Sequence, residues 1–329
     1  MWLSSWLAML PLAAQVLAGS GEKSARTDEN GIRRIQLRTH TLAPPYLDSD
    51  MQSRWWDFGG NTIIRADQYI RLTSDRPSQE GWVFSRLPLT ATNWEIEIEF
   101  KVQGNGNLHG DGFAMWLTKQ RAQPGTVFGH VDKFEGIGIF FDTYKNNRPG
   151  TVFPYVMAMV GDGQKPYDKA NDGKDNEFMG CSARGIRGAS IPTKAKLTYF
   201  QDKSLKLELM YKQEDQWVVC FETTDPPTIP SVSYLGFSAE TGELSDNHDI
   251  ISVHTNNLYD TKKKTDYTDT GKGSPKAGRA KRKSKKSQKS KGSWSWFLFK
   301  IVMIFVVAGG VYVGYTAWRA QRQRKSHRF

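Results

Sequence analysis

The chain has 329 residues, enough for one large domain or two medium ones, and its formal net charge is +11. The positive charge is concentrated near the C-terminus: residues 261–329 hold 19 Lys and Arg against two acidic residues, so residues 1–260 hold 26 basic and 32 acidic residues. The first 260 residues are therefore mildly acidic. The overall positive charge is therefore no argument for nucleic-acid binding by this part of the chain, and no nucleic-acid partner is predicted.

The N-terminus is an uncharged apolar stretch, residues 1–18, that ends in small side chains and is too short to span a membrane comfortably. It predicts a signal peptide over residues 1–20, with cleavage near Ala18 or Ser20. On a secretory route, one disulfide between Cys181 and Cys220 is the simplest interpretation of the two cysteines. Two separate buried thiols are the alternative.

Residues 55–260 show the pattern of an all-β protein, with short apolar runs separated by Gly, Pro, Asn and Asp clusters. The segment 94–102 alternates strictly, with apolar side chains on one face (Trp94, Ile96, Ile98 and Phe100) and solvent-exposed acids on the other (Glu95, Glu97 and Glu99). Three continuous apolar runs, at 113–117, 137–141 and 155–160, predict strands covered on both faces. The sequence predicts a two-sheet β-sandwich domain over residues 28–260.

The C-terminal part predicts a linker, a membrane span and a short tail. Residues 261–294 are rich in Lys, Ser and Gly, which predicts a disordered basic linker without a coiled coil. Residues 296–318 are apolar apart from Lys300 near one end, and predict one transmembrane helix; a buried core helix is the alternative. Gly310 and Gly314 form a possible helix-pairing motif, or chance glycine usage.

Two signals conflict over the orientation of this predicted span. Positive-inside counting places the linker in the cytosol, because nine Lys and Arg lie in 276–291 against five in the tail. We give priority to the signal peptide, which commits the N-terminal domain to translocation first. The prediction is a type I protein with a lumenal β domain and a cytosolic tail over residues 319–329.

Two loops carry oxygen-bearing residues of the kind that hold a hard cation. In G-I-G-I-F-F-D-T-Y-K-N-N (136–147), a strand-like run is followed by Asp142, the carbonyl of Tyr144 and Asn146. A second loop, Y-D-K-A-N-D-G (167–173), offers Asp172. Carboxylate, amide and carbonyl oxygens are the ligands of Ca²⁺. Taken singly, each of these residues is more simply read as a turn former.

Four blocks of sequence resemble the L-type (legume-type) lectins, and most closely the mannose-binding transmembrane cargo lectins of the early secretory pathway. They are the two loops above together with H-G-D-G-F-A-M-W-L (109–117) and G-F-S-A-E-T-G-E-L-S-D-N-H-D-I (236–250). They occur in the family's order and cover roughly residues 30 to 260. The resemblance implies a jelly-roll sandwich, and we expect a fungal-type member.

The resemblance also implies which residues form the site. Calcium ligands are expected at Asp142, Tyr144, Asn146 and Asp172. The expected carbohydrate-binding residues are Asp111, Asn146, Ser78, Lys169, Gly242, Glu243 and Leu244, of which Ser78 is the loosest match. The Gly110–Asp111 peptide bond is expected to be cis, as in the family. No catalytic residue is predicted.

The sequence departs from the family at several positions. Lys169 stands where animal members have a His, which removes an imidazole as a pH switch for cargo release. Glu243 stands where an Asp is common. Phe140 stands where plant members have a Glu ligand, so no second, manganese-type site is expected. Among the histidines, structural roles are expected for His248 and His254. For His109, beside the G-D-G loop, the sequence leaves two alternatives: a position lining the site and a structural role.

The function expected from the resemblance is a Ca²⁺-dependent lectin. It would bind high-mannose N-glycans on glycoproteins as a cargo receptor in transport between the endoplasmic reticulum and the Golgi, or in quality control. Vesicle coat proteins are expected to bind the tail, where Arg328 and Phe329 resemble a sorting signal, and a homo-oligomer is possible. The alternatives are a receptor that binds cargo by protein contacts with a vestigial sugar site, and a glycoside hydrolase. The hydrolase is disfavoured because the usual E-x-D-x-x-E arrangement is missing.

Overall fold

The computed structural model describes residues 27–28, 31–261 and 312, and the account below concerns the compact unit that ends at Thr268. The predicted signal peptide, membrane span and tail lie outside the described residues, apart from Tyr312, and so does the linker beyond Thr261. In the described part of the chain, no helix is long and apolar enough to cross a membrane.

Fifteen β-strands make up the described domain, and its helical segments are single 3-10 turns at Arg38–His40, Lys169–Asn171 and Lys174–Asn176. The strands are β1 Ile32–Gln36, β2 Trp56–Gly60, β3 Ile63–Arg65, β4 Tyr69–Thr73, β5 Glu80–Ser85, β6 Asn93–Gln103, β7 Gly112–Thr118, β8 Glu135–Asp142, β9 Tyr155–Asp162, β10 Glu177–Ser182, β11 Thr193–Phe200, β12 Ser204–Met210, β13 Val218–Thr223, β14 Tyr234–Glu240 and β15 Asn247–Asp260.

The strands form two antiparallel sheets, which confirms the predicted all-β sandwich. The eight-stranded sheet has the order β13-β12-β11-β6-β15-β4-β3, with β1 also paired to β15. The seven-stranded sheet has the order β10-β9-β8-β7-β14-β5-β2. The main hydrophobic core lies between the sheets and takes alternate side chains from both of them, as the period of two in a β-strand requires.

Strand β6 follows its predicted alternation on the core side but not on the outer side. Trp94, Ile96, Ile98 and Phe100 are buried in the core. The expected solvent exposure of the acids is wrong for Glu95, which is only 7% exposed. Its carboxylate accepts two hydrogen bonds from the Arg34 guanidinium of β1, at 3.0 and 3.2 Å, and this bidentate pairing covers it.

The continuous apolar runs are covered on both faces, as predicted. A second cluster lies on the outer face of the seven-stranded sheet and includes Trp116 of β7 and Phe140 of β8. The 119–134 connection folds over this face: the ring centroid of Phe134 lies 5.0 Å from that of Trp116, and that of Phe128 lies 5.1 Å from that of Phe140. The outer face of the sheet is therefore covered by a loop here rather than open to solvent.

The predicted disulfide between Cys181 and Cys220 is confirmed. Cys181 lies in β10, the edge of the seven-stranded sheet, and Cys220 lies in β13, the edge of the eight-stranded sheet. The bond therefore joins the two layers at one side of the sandwich.

Replacing both Cys181 and Cys220 with Ser should lower the free energy of unfolding by about 3–4 kcal/mol, because the crosslink restricts the unfolded chain over a loop of 39 residues. Chemical denaturation of the oxidised chain and of the double variant measures the difference. A loss below about 1 kcal/mol would contradict this prediction.

Candidate functional site

The candidate site lies where three neighbouring strands of the seven-stranded sheet begin or end. Strand β7 starts at Gly112, directly after Asp111, and β8 and β14 run antiparallel to it on either side. Gly112 is therefore paired with Asp142 at the end of β8 and with Glu240 at the end of β14. This pairing brings together motifs that lie far apart in the sequence.

Hydrogen bonds between the backbones of these strand ends fix the position of Asp111. Its N–H donates to the Glu240 carbonyl at 3.3 Å, and its own carbonyl accepts from the Thr143 N–H at 3.0 Å. The Gly110–Asp111 peptide bond is cis, as the sequence motif predicts. The carboxylate of Asp111 lines a small pocket, together with Thr126, Phe128, Asp142, Tyr144, Asn146, Tyr167, Lys169 and Glu240.

The four predicted calcium ligands lie close together: Asp142, Tyr144 and Asn146 line this pocket, and Asp172 is hydrogen-bonded to Asn146. The Tyr144 N–H donates to Asp142 Oδ1 at 3.0 Å. Asn146 donates to Asp172 from its backbone N–H, 3.1 Å from each carboxylate oxygen, and from its side-chain Nδ2 at 2.7 Å. Asp172 occupies the left-handed region with φ 53°, at the end of the 3-10 turn Lys169–Asn171, so the second loop folds back onto the first.

The donor set fits a hard divalent cation. Asp142 and Asp172 are 6% and 1% exposed, and burial together with the nearby Asp172 charge raises the pKa of Asp142 well above its ordinary value. A bound cation would relieve the repulsion between these two buried carboxylates. In the described residues, no group of three or more His, Cys, Asp and Glu side chains is placed to hold a metal. The fit therefore depends on the Asn146 amide and the Tyr144 carbonyl as well.

The other predicted sugar-binding residues come from two loops beside Asp111. A Cβ placed on Gly242 would lie 3.3 Å from Asp111 Oδ2, so the 242–244 turn packs closely against that carboxylate. The Ser78 N–H donates to the Gly242 carbonyl at 3.0 Å, which brings the loosest sequence match to the same place. Glu243 is exposed and Leu244 half-buried, and neither lines the pocket.

Lys169 also lines the pocket. Its Nζ donates to Glu240 Oε1 at 2.9 Å, forming an ion pair in which the Lys169 side chain is half exposed. Burial raises the pKa of Asp111, and the Lys169 charge partly offsets that effect. Glu240 was assigned no role from the sequence, although it stands within the G-F-S-A-E-T-G-E-L block.

The model of the legume-like lectin family matches residues 33–265. The chain belongs to the legume-like lectin family. A relative in Schizosaccharomyces pombe, an L-type lectin-like domain-containing protein, is 41% identical over 226 residues, which cover 68% of this chain and 72% of that protein. Human VIP36-like protein is 39% identical over 243 residues, which cover 72% of this chain and 69% of that protein.

Solved structures of the VIP36 exoplasmic/lumenal domain have the same fold. Its Ca²⁺-bound form matches with a TM-score of 0.64 and 40% identity, covering 68% of this chain and 92% of that chain. Its Ca²⁺/Man3GlcNAc-bound form matches with a TM-score of 0.64 and 40% identity, covering 68% of this chain and 90% of that chain.

The structure also shows pocket-lining residues of this lectin that the sequence reasoning missed. Tyr144 was predicted only for its carbonyl, yet the residue lines the pocket and its Cβ lies 3.0 Å from the position that a Cβ on Gly110 would take. Phe128 enters from the 119–134 connection, which contains no recognisable motif. Both are aromatic residues that line the pocket.

Phe140 lies on the covered outer face of the sheet. It is fully buried, and its ring centroid lies 5.2 Å from that of Tyr167 and 5.3 Å from that of Trp116. This position in the lectin is therefore occupied by aromatic packing rather than by a metal-binding carboxylate.

The histidines named in the sequence analysis lie outside the pocket lining. His248 is buried, its Nδ1 lies 2.7 Å from the Thr73 hydroxyl oxygen, and burial lowers its pKa to about 3, which fits a structural role. His254 is half-buried in β15. His109 is half-buried, with Nδ1 3.2 Å from the Asn107 carbonyl oxygen.

Proposed function

We propose that this lectin binds high-mannose N-glycans on glycoproteins in a calcium-dependent manner, as a cargo receptor in transport between the endoplasmic reticulum and the Golgi or in quality control. One observation carries the proposal: Asp142, Tyr144 and Asn146 line the same pocket as Asp111, and Asp172 is hydrogen-bonded to Asn146. Support comes from the VIP36 lumenal domain, which has been solved with Ca²⁺ and with mannose-containing ligands.

Calcium would be held by Asp142, the Tyr144 carbonyl, Asn146 and Asp172. When bound, the ion supplies rigidity to two loops and neutralises two buried carboxylates. The residues themselves also contribute to the pre-organisation, because Asn146 connects the two loops through its three hydrogen bonds to Asp172.

The sugar would be held by direct hydrogen bonds. Asp111 accepts from adjacent hydroxyls, Asn146 contributes amide groups, and the 242–244 turn presents backbone groups of Gly242, Glu243 and Leu244. The Ser78 N–H donates a hydrogen bond to the Gly242 carbonyl of that turn, and Lys169 lines the pocket and would donate to a sugar hydroxyl. None of these roles needs a general acid or a nucleophile, so we propose a binding protein and not an enzyme.

The cellular setting is proposed from the predicted segments of the sequence, of which only the lectin domain lies mostly within the described residues. A signal peptide over 1–20, a lectin domain over 28–260, a basic linker over 261–294, a membrane helix over 296–318 and a tail over 319–329 would place the lectin domain in the lumen. Relatives named as vesicular integral-membrane proteins support a membrane of the secretory pathway. Coat proteins would bind the tail through Arg328 and Phe329.

A glycan array tests the proposed function. We expect the purified full-length chain to bind high-mannose glycans in the presence of calcium and to release them when a chelator is added. Failure to bind any mannoside in the calcium-loaded state, or titration calorimetry that detects no calcium uptake, would overturn the proposal.

Replacing Lys169 with His should give mannoside binding a pH dependence that the wild-type chain lacks. An imidazole has an ordinary pKa of about 6.5 and therefore changes its charge within the physiological range. The Glu240 carboxylate favours the protonated form, so the charge at this wall is gained as pH falls and lost as pH rises. Mannoside affinity is measured at saturating calcium between about pH 7.2 and about pH 6. Parallel profiles for the two proteins would contradict the prediction.

A further inference from the structure

The charges around the sugar pocket are unequal. Of the nine described residues that line it, Asp111, Asp142 and Glu240 are acidic, and Lys169 is the only base. The Lys169 ammonium is bound to Glu240 Oε1 at 2.9 Å. This ion pair joins the loop that carries Asp172 to the end of β14, and both of its members line the pocket.

Glu240 lies between two other carboxylates on the same face of the sheet. The alternation along β14 buries Phe237 and Ala239 in the core and directs Glu240 to the outer face, where the pocket lies. In the sheet it is paired with Glu80 of β5 and with Gly112, the residue after Asp111. The pKa values of Glu80 and Asp111 are both raised, first by burial and also by the charge of Glu240. Lys169 is the cation that offsets this concentration of negative charge.

The second carboxylate oxygen of Glu240 remains unused. Glu240 Oε2 is inaccessible to solvent and has no hydrogen-bond partner among the described residues. One oxygen therefore engages the ammonium, while the other adds negative potential at the pocket.

We propose that Glu240 is a specificity-determining residue of this pocket, which by pairing with Lys169 makes the pocket select uncharged mannosides over phosphorylated ones. The inference rests on the proposed function, because it places a mannoside in this pocket. An unpaired lysine in a sugar pocket would attract a phosphate group, since an ammonium is a strong point charge and hydrogen-bond donor. With Glu240 present, the ammonium is already engaged and an entering anion meets like charge.

Competition binding with three probes at saturating calcium tests this inference. The probes are methyl α-mannoside, mannose 1-phosphate and mannose 6-phosphate, so that the phosphate is attached at two different positions of the sugar. Glu240→Gln removes the charge and keeps the shape. We expect the affinity for the better-bound phosphomannose, relative to methyl α-mannoside, to rise about three- to tenfold in this variant.

Lys169 variants show whether the effect operates through the ion pair. Lys169→Ala should lower the same affinity ratio, because the pocket then has no cation to meet a phosphate. In the Lys169→Ala background, Glu240→Gln should raise the ratio by less than half as much as it does in the wild type. An equal rise with and without Lys169 would show that pairing is irrelevant and would overturn the inference.

The Lys119–Glu135 ion pair provides a matched control. It is also partly exposed and on the same sheet, but Glu135 begins β8 whereas Asp142 ends it. Glu135→Gln should leave the ratio unchanged. Calcium uptake and thermal unfolding verify that each variant is folded. If Glu240→Gln does not fold, the Lys169→Ala variant alone tests the inference. Its affinity for phosphomannose relative to methyl α-mannoside must then be lower than that of the wild type.

The two possible failures are distinguishable. If the wild-type chain binds methyl α-mannoside but Glu240→Gln leaves the ratio unchanged, the specificity inference fails alone. If the wild-type chain binds no mannoside, the proposed function itself fails.

Discussion

Replacing Asp172 with Asn is expected to weaken calcium binding by about a hundredfold or more and to abolish mannoside binding at calcium concentrations that saturate the wild type. The charge count of the ligand set adjusts calcium affinity over several orders of magnitude, and this substitution removes one of the two buried carboxylates. Titration calorimetry measures calcium uptake, and the glycan array measures the linked loss of sugar binding.

The substitution is chosen so that the backbone is preserved. Asp172 has φ 53°, a left-handed conformation that Asn adopts more readily than most residues. The carbonyl oxygen of the introduced amide could also still accept one of the hydrogen bonds that Asn146 now donates to the carboxylate. A loss of calcium affinity would therefore report the missing charge rather than a collapsed loop.

Asp175→Asn is the matched control for Asp172→Asn. Asp175 lies three residues further along, in the 3-10 turn Lys174–Asn176, and is exposed. The control should leave both calcium uptake and mannoside binding unchanged. If Asp172→Asn bound calcium as tightly as the wild type does, the proposed ligand set would be wrong.

Most of the fold could be predicted from the sequence because its signals are local. Strict alternation, as in 94–102, predicts a strand with one covered face. A continuous apolar run, as in 113–117 and 137–141, predicts a strand covered on both faces. Glu95 shows where this reasoning fails. Its burial depends on Arg34, 61 residues away, and alternation within one strand carries no information about a partner on another strand.

The candidate site could be predicted only in part, for a related reason. The four proposed calcium ligands lie in two short motifs and follow from the types of residue in them. Asp111 and Gly242 came from the resemblance alone, because only the pairing of β7 with β14 brings them together. Phe128 was missed because the 119–134 connection folds over the outer face without any recognisable motif.

Glu240 illustrates a signal that was present but unused. Its neighbours Phe237 and Ala239 face the core, so the period of two places Glu240 on the outer face with Asp142. A lysine where the animal members have a histidine adds a positive charge, and the glutamate directly before the T-G-E-L turn carries the opposite charge. The Lys169–Glu240 pair could therefore have been predicted, but only with the register of the sheet in addition to the sequence.

Replacing Asp111 with Ala is expected to lower mannoside affinity by at least about a hundredfold while leaving calcium uptake within a few-fold of the wild type. A carboxylate that accepts from two sugar hydroxyls makes two charge-assisted hydrogen bonds, each contributing about 1.5–3 kcal/mol. Calcium uptake should persist because Asp111 is outside the proposed ligand set, and removing its charge also lessens the repulsion that raises the pKa of Asp142.

Asp225→Asn, an exposed carboxylate beyond the end of β13, is the control for Asp111→Ala and should bind mannosides normally. Calorimetry and the glycan array again separate the two activities, and retained mannoside binding by Asp111→Ala would contradict the assignment of this carboxylate.

The same Asp111→Ala variant distinguishes the two receptor mechanisms in cells. If glycan binding is lost and glycoprotein traffic stops with it, the sugar pocket carries the cargo. Continued traffic would instead show that cargo is recognised by protein contacts, with the sugar pocket a vestige.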